Sequence, residues 1–288
     1  MYALIWTLAC TGEDTSVDSW RIEPRASGTP LARSSAYPLD DGSEAYLAAQ
    51  HIVPELHWGN SPSTHIVLDM WDHVMGVNVA DPGNCPYDVV DGSTRTWTGG
   101  CRSQDGYDWE GEVQQVVWEE EGQEWERWTF DMVVSSEVDS RSFDRIAFQG
   151  EFWFAGSNGE DLQSHTESNF ILETEGYWER GSRPKLEEAW SVLAFSGIWE
   201  TWLDAGGDLR SFKTEGVFEN AYGGLVFATP ELLEDDGCAS EPSGTLSFTD
   251  GDQKASLEFE GNDRCDNCAS YALDGEDAAL TCRTSTWL

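Results

Sequence analysis

From about residue 85 onward, apolar and polar side chains alternate one by one. Trp128, Phe130, Met132 and Val134 alternate with Arg127, Thr129, Asp131 and Val133. Ile146, Phe148, Gly150, Phe152 and Phe154 repeat the pattern, as do Leu246/Phe248 and Leu257/Phe259. A period of two puts every second side chain on one face of a strand, so these runs predict half-buried β-strands. Turn signals separate them at Asp105-Gly106, Asn158-Gly159, Gly206-Gly207, Gly223-Gly224, Asp250-Gly251 and Asp274-Gly275. No long helical pattern stands between strands, which points to antiparallel hairpins rather than parallel βαβ units. The expected fold is mainly β (α+β): an antiparallel sheet, sandwich or open barrel of roughly nine to twelve strands, with two short N-terminal helices.

Those helices come from a different period. Residues Ser43 to Val53 are good helix formers with Ser43 as a candidate cap and a stop at Pro54. Residues Ser61 to Met75 place Ile66, Met70 and Val74 on one stripe with Val67 and Trp71 beside it. Between Pro184 and Trp202 the pattern reads two ways, with Leu186 to Leu193 suited to a helix start and Phe195 to Trp202 to a strand. The chain thus divides into an apolar leader remnant (1–10), a Ser/Thr/Asp/Pro-rich flexible tether (11–42), a helical segment (43–82) and an antiparallel β domain (83–288), the last two able to form one unit.

Composition narrows the function. Sixteen basic residues against 54 acidic ones give a formal charge of −38, which excludes nucleic acid as a partner and argues against docking on anionic lipid head groups. Disorder does not follow from this charge, because 39% of residues are hydrophobic and 15 are Trp, enough to build a sizeable core. The acids are dispersed and only Lys185, Lys213 and Lys254 are lysines, a pattern suited to a solubilising surface.

The cysteines and the start of the chain bear on compartment. Met1 to Cys10 is an apolar run ending in small residues and a cysteine, and looks like the tail of a bacterial lipoprotein signal with Cys10 as the acylated residue. The competing reading is an apolar N-terminal strand with an ordinary buried cysteine. A lipid anchor would be the only membrane attachment, and would place the protein in the cell envelope, at the outer membrane or in the periplasmic or extracellular space. Cys85, Cys101, Cys238, Cys265, Cys268 and Cys282 then form an even set suited to three disulfides. Proximity along the chain favours Cys85–Cys101, and among the rest Cys238–Cys265 with Cys268–Cys282. The rival is a zinc site of Cys265, Cys268, Cys238 and Cys282, although four-thiolate sites usually show two Cys-x-x-Cys knuckles and this chain has one.

Around these cysteines the chain resembles a known group. Cys85-Pro86, Thr98-Gly-Gly-Cys101 and Asp105-Gly106-Tyr107-Asp108-Trp109-Glu110-Gly111 are similar to the core of uncharacterised lipoproteins of myxobacteria and related deltaproteobacteria. Cys265-Asp-Asn-Cys268, Asp274-Gly-Glu276 and Cys282 resemble their closing pattern, with Asn267 standing where Gly is usual. The resemblance implies a secreted, mostly β, lipid-anchored protein and no particular activity.

Three sets of residues are candidates for chemistry. His65, Asp69 and His73 are spaced i, i+4 and i+8 on the second helix, the spacing of metal ligands on one helix face, with Asp72 and His57 nearby; the same residues also suit a plain solvent-facing side. Acidic loops at Asp40-Asp41, Asp235-Asp236, Asp250-Gly-Asp252, Asp263, Asp266 and Glu276-Asp277 allow a structural calcium as the alternative to no cofactor, though none has the order of a calcium-binding loop. Trp125 and Trp153 have the opposite parity to Trp128, Phe130, Phe152 and Phe154, and are the candidates for an exposed aromatic pair that stacks on a glycan. No nucleophile elbow, zinc-protease helix, phosphate loop or dinucleotide fingerprint occurs, and Ser182-Arg-Pro-Lys185 lacks the companion motifs of Ser/Lys chemistry. The leading reading is a non-catalytic cell-envelope lipoprotein with a structural or binding role, its partner a glycan or an envelope protein; a glycan-binding module and a metal-binding envelope protein follow.

Overall fold

The computed structural model describes residues 36–52, 66–76, 84–136, 143–157, 162–175, 192–203, 210–234, 242–251, 253–261, 266–276 and 279–282. Among them, helices α1 (Gly42–Ile52) and α2 (Ile66–Gly76) precede fourteen strands. The first five are β1 (Tyr87–Asp91), β2 (Thr94–Thr98), β3 (Cys101–Arg102), β4 (Asp108–Glu120) and β5 (Gln123–Ser135). Next come β6 (Arg145–Ala155), β7 (Leu162–Glu175), β8 (Val192–Leu203), β9 (Arg210–Asn220) and β10 (Gly223–Glu234). The last are β11 (Ser243–Asp250), β12 (Gln253–Glu260), β13 (Cys268–Leu273) and β14 (Ala279–Cys282).

All of them belong to one antiparallel meander. Each strand pairs with the next in sequence, except that β2 pairs with β4 and the two-residue β3 hooks onto β4 from the side. The strand count exceeds the nine to twelve anticipated because β1, β3 and β14 carry no buried alternation: every residue of β1 is exposed, and β14 is almost as open. The ambiguous stretch resolves as strand from Val192 onward, and its earlier residues lie outside the described set.

The alternation sorts the faces as the sequence predicts. Trp128, Phe130, Met132 and Val134 of β5 are buried with Ile146, Phe148 and Phe152 of β6, and Leu246, Phe248, Leu257 and Phe259 of β11 and β12 join the same contiguous core. The helices cover this face. Trp71 of α2 meets Trp97, Trp109, Phe130 and Phe148 edge-on, spanning β2 to β6, and Tyr46 of α1 meets Phe259 of β12. Met70 and Val74, with Val67 beside them, are buried as the stripe requires. A flat row of that many strands would be about 60 Å across, too wide for two short helices, so a single core requires the sheet to curl around them. At Gly150 the strands come close together: its φ is +120°, and a Cβ there would sit 2.1 Å from the carbonyl oxygen of Asn169 on the neighbouring strand.

Two boundaries differ from the sequence reading. The cap of α1 is Asp41 rather than Ser43, because the Asp41 carboxylate accepts hydrogen bonds from the backbone N–H and the hydroxyl of Ser43 at 2.8 and 2.7 Å. The last residues of the segment read as a tether pack against the β domain. Ala36 bridges to Gly224, Tyr37 and Leu39 are buried, and the Tyr271 hydroxyl donates to the carbonyl of Leu39. Residues 11–35 lie outside the described set. Among the described residues no helix is long and apolar enough to cross a membrane.

Candidate functional site

The opposite face of the sheet is polar along most of its length, but at one end of β5 to β8 it too is buried, flanked by half-buried side chains of β4 and β9. Strand register builds a row across that end. Trp118 of β4 faces Trp125 of β5, which faces Ala155 of β6, then His165 of β7, Glu200 of β8 and Lys213 of β9. One step along the strands a second row runs Arg127, Trp153, Glu167, Ile198 and Glu215. Because side chains two apart share a face, the two rows form one patch.

At its centre lies His165, fully buried between two carboxylates. Its Nδ1 is 2.7 Å from Glu200 Oε1 and its Nε2 is 2.9 Å from Glu167 Oε1. Both glutamates are themselves at most 1% exposed. Rings close over this centre: Trp125 stands edge-on to the imidazole with centroids 6.0 Å apart, Trp118 stacks on Trp125, and Trp153 meets Trp118 edge-on. Two cations stand beside it, Arg127 over the ring of Trp153 and Lys213 over that of Trp202.

This geometry dictates the protonation chemistry. Burial, the strongest single influence, pushes the imidazole down, but the hydrogen bonds and negative charges of Glu167 and Glu200 outweigh it and hold the group above its ordinary value. A doubly protonated ring donates to both carboxylates at once. With both nitrogens engaged, the ring offers no lone pair to a metal and no base to a substrate. Glu200 Oε2 has no hydrogen-bond partner among the described residues, so the Glu200 carboxylate depends on His165 for its donor.

The anticipated site residues fare differently. Trp125 and Trp153 do sit on the face opposite Trp128 and Phe152, as parity requires, but they do not form an exposed pair. Trp125 is only 3% exposed, because its ring is enclosed between Trp118 and His165. Trp153 is half-buried, with its indole N–H committed to Glu151 at 2.9 Å. Of the metal triad, His65 lies outside the described residues, as do the side chains of Asp69 and His73 on α2. Among the described residues no group of three or more His, Cys, Asp and Glu side chains is arranged to hold a metal.

Two of the acidic positions that are described serve the backbone: Asp41 caps α1 and Asp266 accepts from the Cys268 N–H at 3.0 Å. Asp235, Asp236, Asp252, Asp263 and Asp277 lie outside the described set. Cys85–Cys101 and Cys268–Cys282 are bonded as expected, and the second bond removes two of the four thiolates of the zinc alternative. Cys10, Cys238 and Cys265 are outside the described residues.

Sequence reasoning passed over His165, the one histidine outside the cluster at residues 51 to 73. A signal existed: His165 and Glu167 are two apart on a strand and must share a face. Glu200 is 35 residues away from His165, and only the register of β7 with β8 brings them together. Comparison with protein-family models, characterised proteins and solved structures finds no match to this chain.

Proposed function

We propose that the chain is a non-catalytic lipoprotein of the cell envelope, anchored through an acylated Cys10, whose β domain has a structural or binding role. The observation that carries this reading is the placement of the disulfides. Cys85–Cys101 ties down the start of β1 at one edge of the sheet, and Cys268–Cys282 joins β13 to β14 at the other. Edge strands are the weak points of an open sheet, and bonds that pin both edges persist only in an oxidising compartment. The sealing of His165, Glu167 and Glu200 away from any substrate supports a structural or binding role over catalysis. Mass spectrometry of the native protein tests the reading: a lipid adduct on Cys10 with oxidised cysteines is expected, and an unmodified Met1 on a fully reduced cytosolic protein would overturn it.

A second reading, a glycan-binding module, is supported by the half-buried rings of Trp118 and Trp153 beside Arg127, with Trp125 as their support rather than a contact residue. Screening on an immobilised glycan array tests it. Binding lost in Trp153→Ala is the expected result, and binding indifferent to that change removes the idea.

A further inference from the structure

We propose that His165, Glu167 and Glu200 form a proton-operated latch that holds the Trp125 layer onto the second face of the sheet and releases it when the imidazole loses a proton. The argument begins with hydrogen-bond counting. A ring with both N–H groups satisfies Glu200 Oε1 at 2.7 Å and Glu167 Oε1 at 2.9 Å. A neutral ring keeps one N–H, so whichever tautomer remains, one buried carboxylate meets a lone pair. If the proton toward Glu200 is the one lost, that carboxylate retains no donor, since its Oε2 has none among the described residues. A fully buried, unsolvated carboxylate is costly enough that the site must open to water or take up a proton itself.

Surrounding charges set the direction. On β7 the ring faces Glu167, and on β8 it faces Glu200; beyond them β9 contributes Lys213 and Glu215, and β5 contributes Arg127, while Ala155 of β6 adds no charge. Two carboxylates in direct contact dominate over cations one position further away, so the closed form is the protonated one. What opens is defined by packing. Trp125 rests on the imidazole, Trp118 stacks on Trp125 and Trp153 abuts Trp118, so loss of the central contact loosens the ring layer in sequence. The same layer carries the half-buried rings of the glycan reading, but the latch does not depend on that reading.

Two resonances test this in the full-length protein. Nitrogen-15 spectra report the protonation of His165, assigned by its loss in His165→Gln. Fluorine-19 spectra of 5-fluorotryptophan-labelled protein report Trp125, assigned by Trp125→Phe. Both ring N–H signals of His165 are expected to persist as pH rises past the ordinary imidazole value, because Glu167 and Glu200 hold the group above it. When they disappear on further alkalinisation, the Trp125 line is expected to shift with the same midpoint, and to show no such step in His165→Gln. A ring that becomes neutral at or below the ordinary imidazole value, a Trp125 line that ignores the His165 titration, or an unchanged step in His165→Gln would each overturn the latch. Should His165→Gln fail to fold, through-space contact between the imidazole and Trp125 in the wild type supplies the assignment, and the first two outcomes still decide.

Discussion

Gly150 and Gly122 both have a positive φ, yet the structure demands different things of them. At Gly122, with φ +82°, a Cβ would meet nothing within 4 Å, so Gly122→Ala should cost only the backbone strain, about 1 kcal/mol. At Gly150 the same change drives a methyl into the Asn169 carbonyl at 2.1 Å and the strand pair must separate, so Gly150→Ala should cost about 2–4 kcal/mol. Urea unfolding followed by Trp fluorescence measures both; equal costs would mean that the close approach on the core face is not what holds Gly150 in place. His165 makes a prediction of the opposite kind, about conditions rather than sequence. Its imidazole is held above the ordinary value in the folded state, so its contribution to stability is fully present below about pH 6.5 and is lost as pH rises through the raised folded value. The stability difference between wild type and His165→Gln should therefore shrink on going alkaline, measured by urea midpoints at a series of pH values, and a difference that grew with pH would contradict the sign.

The hairpin of β4 and β5 has strands that declare themselves in the residue pattern and a turn that does not. Its register runs unbroken from Asp108↔Ser135 to Glu120↔Gln123, leaving a two-residue loop of Glu121 and Gly122 with φ of 54° and 82°. Such a loop needs positive φ at both central positions, which suits Asn-Gly and Asp-Gly far better than Glu-Gly. For that reason the turn carries none of the usual dipeptide signals, although the alternation of Trp128 to Val134 correctly assigns the inward face. Glu121→Asn should relieve the strain and stabilise the protein by about 1 kcal/mol, a gain visible in the thermal midpoint; no gain would mean that the glutamate has a compensating role. Legibility follows physics in the rest of the fold too. Long strands with one buried face announce themselves by period, whereas β1, β3 and β14 bury almost nothing and carry no pattern to read. Asp41 displaces Ser43 as the cap of α1 because two nearby residues offer side-chain oxygens to the same helix start. The site is half legible: parity separates Trp125 and Trp153 from the core rings. It does not show that His165 and Glu200 lie beside Trp125, because cross-strand neighbours depend on register summed over β5 to β8.

At the scale of the molecule, two opposing features meet: covalent bracing at both edges of the sheet and a net charge of −38. The bonded cysteines are 16 and 14 residues apart, loops for which chain-entropy arguments give about 3 kcal/mol each. Replacing either pair with serines should lower the urea unfolding free energy by about 2–4 kcal/mol, with β1 or β14 the first backbone to lose hydrogen-exchange protection. Charge works the other way. With 54 acids and 16 bases, most carboxylates have no cation to pair with, and like charges across a polar sheet face repel one another. Among the described residues the arginine ion pairs are partly exposed, such as Arg145 with Glu173 and Glu175 at 3.1 Å and Arg95 with Asp88 at 2.6 Å, and pairs of this kind contribute little. Salt screens both effects, so the sign of its influence reports which dominates. Screening shortens from about 30 Å at 0.01 M to about 3 Å at 1 M, and repulsion summed over so many uncompensated acids should lose more than a few attractive pairs. The urea midpoint should therefore rise steadily as sodium chloride increases over that range. A midpoint that fell instead would show that surface ion pairs, and not self-repulsion, govern the electrostatics of this sheet.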